Sequence, residues 1–196
     1  MTQNLTNQIK FLFEADKLKA IYRQTLVTDK SREETSAEHS WHIALMAMTL
    51  FEYNALPGVD LDRVIKMALV HDLIEVYAGD TPAFDDTGLE TKEAREKEAA
   101  TKLFSLLPEA QAAEYRALWE EFEGMATPDA QYATAVDRFQ PLLNNHHTNG
   151  HSWAKFNVTA DRVYKRMAPI KTAMPDLWEF VEHVIQDGCD KGYIIQ

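Results

Sequence analysis

The sequence predicts an all-α fold built as one domain, and three observations carry that prediction. Apolar residues recur at helical spacing, as in Ile9, Leu12, Phe13, Leu18 and Ile21. Only 7 Gly and 7 Pro interrupt 196 residues, which favours long helices over a turn-rich sandwich. No strand-like alternation survives beyond a few residues, and no repeat or low-complexity segment divides the chain. With 45% hydrophobic and 26% charged residues, 1–196 can bury a single core without staples.

The elements follow in order. A first helix is expected over about 4–21, then the polar stretch TDKSREETSAEHS, in which Ser36 can cap the next helix. That helix, HSWHIALMAMTLFEYN, is apolar nearly all round and is expected at the centre of the core, with Trp41 in it. Leu56, Pro57 and Gly58 close the connection, and Asp60 can cap a third helix that runs through VIKMALVHDLIEVYAGD. AGDTPAFDDTG, 78–88, is loop by composition. ETKEAREKEAATKLFSLL is then a charged helix ended by Pro108, and its ETKEAREKEAA run reads as a solvent face with i, i+4 charge pairing. A shorter helix covers about 109–122. Pro128 suits the first turn of the helix that carries Asp137, and Pro141 predicts a kink just after it. The last helices fall near 154–167 and 177–187.

Charge and composition narrow the function classes. A net charge of −11 argues against a broad nucleic-acid or anionic-membrane surface, although a metal and one or two cations can reverse the field locally. No run approaches the roughly 18 apolar residues of a spanning helix. The N-terminus lacks a basic start followed by an apolar core, and the single cysteine, Cys189, suits a reducing compartment, so a cytoplasmic location without a signal peptide is expected.

Chemistry concentrates in His39, the adjacent His71 and Asp72, and Asp137. Two imidazoles and two carboxylates are a donor set for a divalent ion such as Mn, Fe, Co or Ni. An aspartate inside an apolar helical run needs something cationic to compensate its burial. Glu75 follows Asp72 by three residues and His71 by four, one turn on along the same face, where a carboxylate can move a proton to or from water or a leaving group. Asp80 can reach the same cavity from the loop. A lone His-Asp pair is more often structural than not, and spacing by itself leaves that alternative open.

AEHSWHIALMA, LVHDLIEVYAGDTP and AVDRFQPLL together resemble the HD-domain metal-dependent phosphohydrolases, and within them the branch that contains the 5′-deoxynucleotidases. The resemblance covers about 18–143, with the helices of 154–190 packed on that core. It implies a helical bundle with the metal between central helices, held by His39, His71, Asp72 and Asp137. It implies Glu75 and Asp80 as the carboxylates of the proton transfers and Arg23 as a phosphate-binding residue. The implied activity is release of phosphate from a nucleoside 5′-monophosphate, with Mn, Co, Fe, Ni, Mg or Zn as the ion and a homodimer as a common assembly. The branch usually carries a bulky aromatic after that arginine, where this chain has Gln24, so ribonucleotides enter the expected substrate range. The alternatives are an HD hydrolase of nucleoside triphosphates or other phosphate esters, and a binding module without turnover. His42 is expected mainly to pack between helices, Arg32 either assists Arg23 or is solvated, and His146, His147 and His151 read as a loop or a fraying helix end, with a place at the lip of the pocket open to Asn144 or His147.

Overall fold

Most of the longer helices begin where a short polar side chain takes the free amides of the first turn. The computed structural model describes residues 2–196. Thr2 caps α1 (Gln3–Asp16), Thr35 caps α2 (Ser36–Thr49), and Asp60 caps α3 (Leu61–Val70) as expected. Asp85 caps α5 (Asp86–Phe104), which follows the short α4 (Glu75–Ala78). After α6 (Glu109–Gly124), Thr127 caps α7 (Pro128–His147), with Pro128 in its first turn. The chain closes with α8 (His151–Lys155), α9 (Ala160–Ala173) and α10 (Trp178–Asp190).

The expected all-α class holds, with one addition. The first helix stops at Asp16, a 3-10 turn spans Lys17–Ala20, and the chain then becomes extended. β1 (Tyr22–Leu26) and β2 (Glu33–Thr35) pair antiparallel, Tyr22 opposite Thr35 and Leu26 opposite Glu33. Both strands are short and largely polar, so they leave no periodic signal in the sequence. The cap of α2 is Thr35 and not Ser36. Its hydroxyl accepts the Glu38 N–H at 3.3 Å while Glu38 accepts the Thr35 N–H at 3.0 Å, a capping box that frees the Ser36 hydroxyl for the interior.

α2, α3 and α7 pack pairwise against one another, and α9 lies along α7. Ile43, Met67, Tyr132 and Leu142 are fully buried between them, and the Tyr132 hydroxyl donates to the Ala47 carbonyl at 2.9 Å. Trp41 does not join this core. It is 62% exposed, because Ile43, Ala44 and Ala47 occupy the inward face of α2 and leave Trp41, Leu45 and Met48 outside. Pro141 removes an amide from α7, yet the helix continues to His147. The final helices lie later than expected, since Asn157 takes φ +50° and ends the turn after α8.

Candidate metal centre and the adjoining cleft

At the His-Asp pair the helix changes its winding. α3 ends at Val70, and His71–Ile74 form a 3-10 turn before α4. Three residues per turn bring Asp72 and Glu75 into line on one face more closely than an α-helix does. The His71 Nδ1–H donates to the Ala68 carbonyl at 2.9 Å, which leaves Nε2 facing inward. His39, in the first turn of α2, is fully buried, and its Nδ1 lies 3.0 Å from Gln140 Oε1. Gln140 Nε2 donates to Glu34 Oε1 at 2.6 Å, and Glu34 also accepts the Thr25 hydroxyl at 3.2 Å. The carboxylate takes the amide nitrogen, so the amide oxygen faces His39 and accepts its Nδ1–H.

Both imidazoles therefore point Nε2 at carboxylates. His39 Nε2 is 2.9 Å from Asp137 Oδ1 and 3.9 Å from Asp72 Oδ2. His71 Nε2 is 3.0 Å from Asp72 Oδ1 and 3.8 Å from Asp137 Oδ1, and it is a buried nitrogen without a hydrogen-bond partner. His39, His71 and Asp72 can each bring one ligand atom within 4.8 Å of the others, and Asp137 adjoins them through both imidazoles. Lone pairs set against carboxylates repel unless a cation stands between them, so this donor set fits a divalent ion. The protein expresses the same demand through protons. Burial opposes charge on His71, but Asp72 and Asp137 outweigh it and push the pKa up to about 9. Burial likewise opposes the charges on Asp72 and Asp137, and the imidazoles, with Arg23 beside Asp72, hold both well below the usual carboxylate range.

Glu75 and Asp80 are shifted the other way. Burial, followed by the charge of Asp72, lifts Glu75 well above the ordinary glutamate range despite Arg23. The freed Ser36 hydroxyl holds Glu75 Oε2 at 2.6 Å. Asp80 is raised by burial against the pull of Arg23. Gly79, at φ +74° and ψ 156°, turns the chain after α4 so that Asp80 faces back to Arg23. Arg23, on β1, donates from Nη1 to Asp72 at 2.9 Å and stands 3.6 Å from Asp80, and these carboxylates keep its charge locked on despite burial.

The solvent-face reading of α5 needs a correction. Lys97 and Glu93 do pair on its surface, but Arg95 and Glu96 turn inward. Arg95 donates to the Ala78 carbonyl at 2.6 Å, to Thr81 Oγ1 at 2.9 Å and to the Gly88 carbonyl at 3.2 Å, and so brackets Asp80 on both sides. Arg32 does not assist Arg23. It is engaged with Glu38 at the surface. His42 sits 3.3 Å from Gln140 Nε2, and His146 faces Asp187 at 3.7 Å.

An open cleft of about 610 Å³, its mouth included, leads away from Arg23 and Asp80. Gln24, Phe84, Trp153, Phe156 and Arg166 line it, so α8 and α9 build walls of the site although the motifs end near 143. Gln24 is hydrogen-bonded to Lys155 of α8. Ser36, Glu34, Gln140, Arg95 and Arg166 were not visible as site residues in the sequence. Only the S/T-x-x-E pattern before His39 could have freed Ser36 for such a role.

An HD-domain family model matches residues 15–178. The chain is similar to a predicted metal-dependent phosphohydrolase from Magnetospirillum magnetotacticum MS-1, with 45% identity and a TM-score of 0.93, covering 99% of this chain and 97% of that one. It is 32% identical over 136 residues to the 5′-deoxynucleotidase HDDC2 of Homo sapiens, which is 69% of this chain and 65% of that protein. The protein of the same name from Danio rerio is 29% identical over 143 residues, 72% of this chain and 70% of its own. The chain thus spans about two thirds of the length of these two relatives. The family match runs from the end of α1 to the start of α10 and takes in every element that meets at the cluster, and the chain belongs to the HD-domain family.

Proposed function

We propose that the protein removes phosphate from nucleoside 5′-monophosphates, deoxy and ribo, and that the whole chain works as one HD unit. The observation that carries this reading is the placement of Arg23. One guanidinium contacts Asp72 at the edge of the metal cluster and also lines the cleft, where an anionic group can meet it. The names of the human and zebrafish relatives support a nucleotide substrate.

His39, His71, Asp72 and Asp137 would hold the ion. A divalent ion in such a donor set lowers the pKa of water and polarises a phosphoryl oxygen. The remaining work falls to the chain's own side chains. Arg23 holds the phosphate oxygens through its forked N–H groups. Hydrolysis forms a new P–O bond from water and breaks the bond to the sugar oxygen, so one proton leaves the water and one reaches the departing alkoxide. Glu75 and Asp80 fit these two transfers, because burial raises both above the ordinary carboxylate range and so favours a carboxyl that can hold a proton. Ser36 keeps the Glu75 carboxyl turned to one side, and Arg95 fixes the loop of Asp80. Phe84 and Phe156 offer the nucleoside apolar walls.

The test is a phosphate-release screen of deoxy- and ribonucleoside monophosphates with Mn, Co, Ni, Mg and Zn, each repeated in EDTA. Release that EDTA abolishes and the metal restores is the expected result. A metal-replete protein inert toward the whole panel would remove the proposal.

A further inference from the structure

Seven of the eight arginines donate a hydrogen bond from the guanidinium: Arg23, Arg32, Arg63, Arg95, Arg116, Arg138 and Arg162. Arg166 is the exception among the described residues. No carboxylate lies within 4.0 Å of it, although it is only partly exposed and lines the same cleft as Arg23 and Asp80. Its position is not loose. Arg138, next to Asp137 on α7, donates to the Arg166 carbonyl at 3.0 Å, and the adjacent Met167 is buried in the core. The fold thus anchors the backbone of Arg166 at the cleft and leaves the donors of its guanidinium unused.

Two guanidiniums at one cleft repel each other unless an anion shares them, and withdrawing their donors from water is unfavourable until something accepts them. A tetrahedral phosphate suits this arrangement, since its oxygens match the planar fork of each arginine. Burial works against the charge on Arg166 and lowers its pKa, Asp137 and Asp80 favour the charge, and Arg23 opposes it. A phosphate that approaches the metal cluster along the cleft passes both.

We propose that Arg166 is a substrate-binding residue which, with Arg23, forms a two-arginine cradle for the phosphate of the substrate at the inner end of the cleft. This rests on the phosphohydrolase reading, and it places a binding determinant on α9, outside the motif-bearing core.

The full-length, manganese-loaded protein is titrated with inorganic phosphate. Arg166→Met is expected to raise the dissociation constant about 10- to 100-fold, as loss of a charged hydrogen bond implies, with Arg166→Lys in between and manganese affinity unchanged. Labelling keeps the idea testable should Arg166→Met fold poorly. In the unaltered protein, phosphate is expected to shield Arg166 as well as Arg23 from phenylglyoxal, read by peptide mass spectrometry, whereas uridine, lacking the phosphate, is not. Unchanged phosphate affinity in a folded Arg166→Met, or equal labelling of Arg166 with and without phosphate, overturns the cradle. The nucleotide reading fails separately. If Arg166 governs phosphate binding but no nucleoside monophosphate is hydrolysed, the cradle stands and the substrate is another phosphomonoester.

Discussion

Gln140→Leu tests how the centre is oriented without touching any proposed ligand. Gln140 is fully buried, and leucine still fills the site with a side chain of comparable size while it removes the polar contacts. Its oxygen accepts the His39 Nδ1–H at 3.0 Å, and its nitrogen donates to Glu34 at 2.6 Å. The first loss leaves a buried ring N–H unsatisfied, at a cost of about 1–3 kcal/mol, and the second removes a charged hydrogen bond worth about 1.5–3 kcal/mol. Together they predict destabilisation of about 2.5–6 kcal/mol. They also free His39 to change tautomer, which turns an N–H toward the metal. Loss of such an outer partner weakens metal binding roughly 10- to 100-fold, or about 1.4–2.7 kcal/mol. Manganese affinity is measured by calorimetry well below the melting transition, so that the stability loss does not enter. An unchanged dissociation constant in a folded Gln140→Leu would refute the view that the amide sets the His39 tautomer.

Three further outcomes are expected. Glu75→Gln, whose amide oxygen can still accept from Ser36, should retain manganese in calorimetry while phosphate release falls by about 10²- to 10⁴-fold; full activity would exclude Glu75 from proton transfer. Gly79→Ala meets no atom within 4 Å of the new methyl, so its cost is the backbone at φ +74°, about 1–3 kcal/mol; the melting temperature should drop and turnover should fall as Asp80 shifts. Burial, with Glu123 nearby, raises Glu96 from 4.5 to about 7 against the pull of Lys92. The folded chain then holds this proton more tightly than the unfolded one, so the stabilisation is full below pH 4.5 and is lost as pH climbs through about 7. Denaturant melts should show Glu96→Gln gaining about 1–2 kcal/mol on the parent between acid and mildly alkaline pH, after allowance for solvent screening, and a flat difference would contradict it.

The sequence was most legible where chemistry and helical periodicity coincide. His71, Asp72 and Glu75 lie in an apolar run, so a charged residue there signals a function, and the structure brings them together with His39 and Asp137. Arg23 was legible only through resemblance, because YRQTL has no apolar rhythm to mark it as a strand. What escaped reading lies in contacts distant along the chain. Gln140 meets His39 across 101 residues, and nothing in QPLLNN distinguishes a buried amide from an exposed one. Arg95 sits in a charged run whose other members face water, and the one inward guanidinium carries no mark of its direction. Arg166 is equally silent: its interest lies in having no partner, a property that exists only in three dimensions.

The bracket that Arg95 makes around Asp80 bears on how the site moves. Loops that carry reactive groups are commonly the first parts of a fold to open. Here opening 78–88 means giving up three hydrogen bonds to a charged group and detaching the loop from a helix of 19 residues. The loop is therefore tied to the local stability of α5, and its amides should exchange with solvent in step with that helix. Substrate has no need to displace it, since the cleft is already open at its mouth. If Asp80 takes part in proton transfer as proposed, its carboxylate is already in place and little reorganisation remains for the moment of reaction.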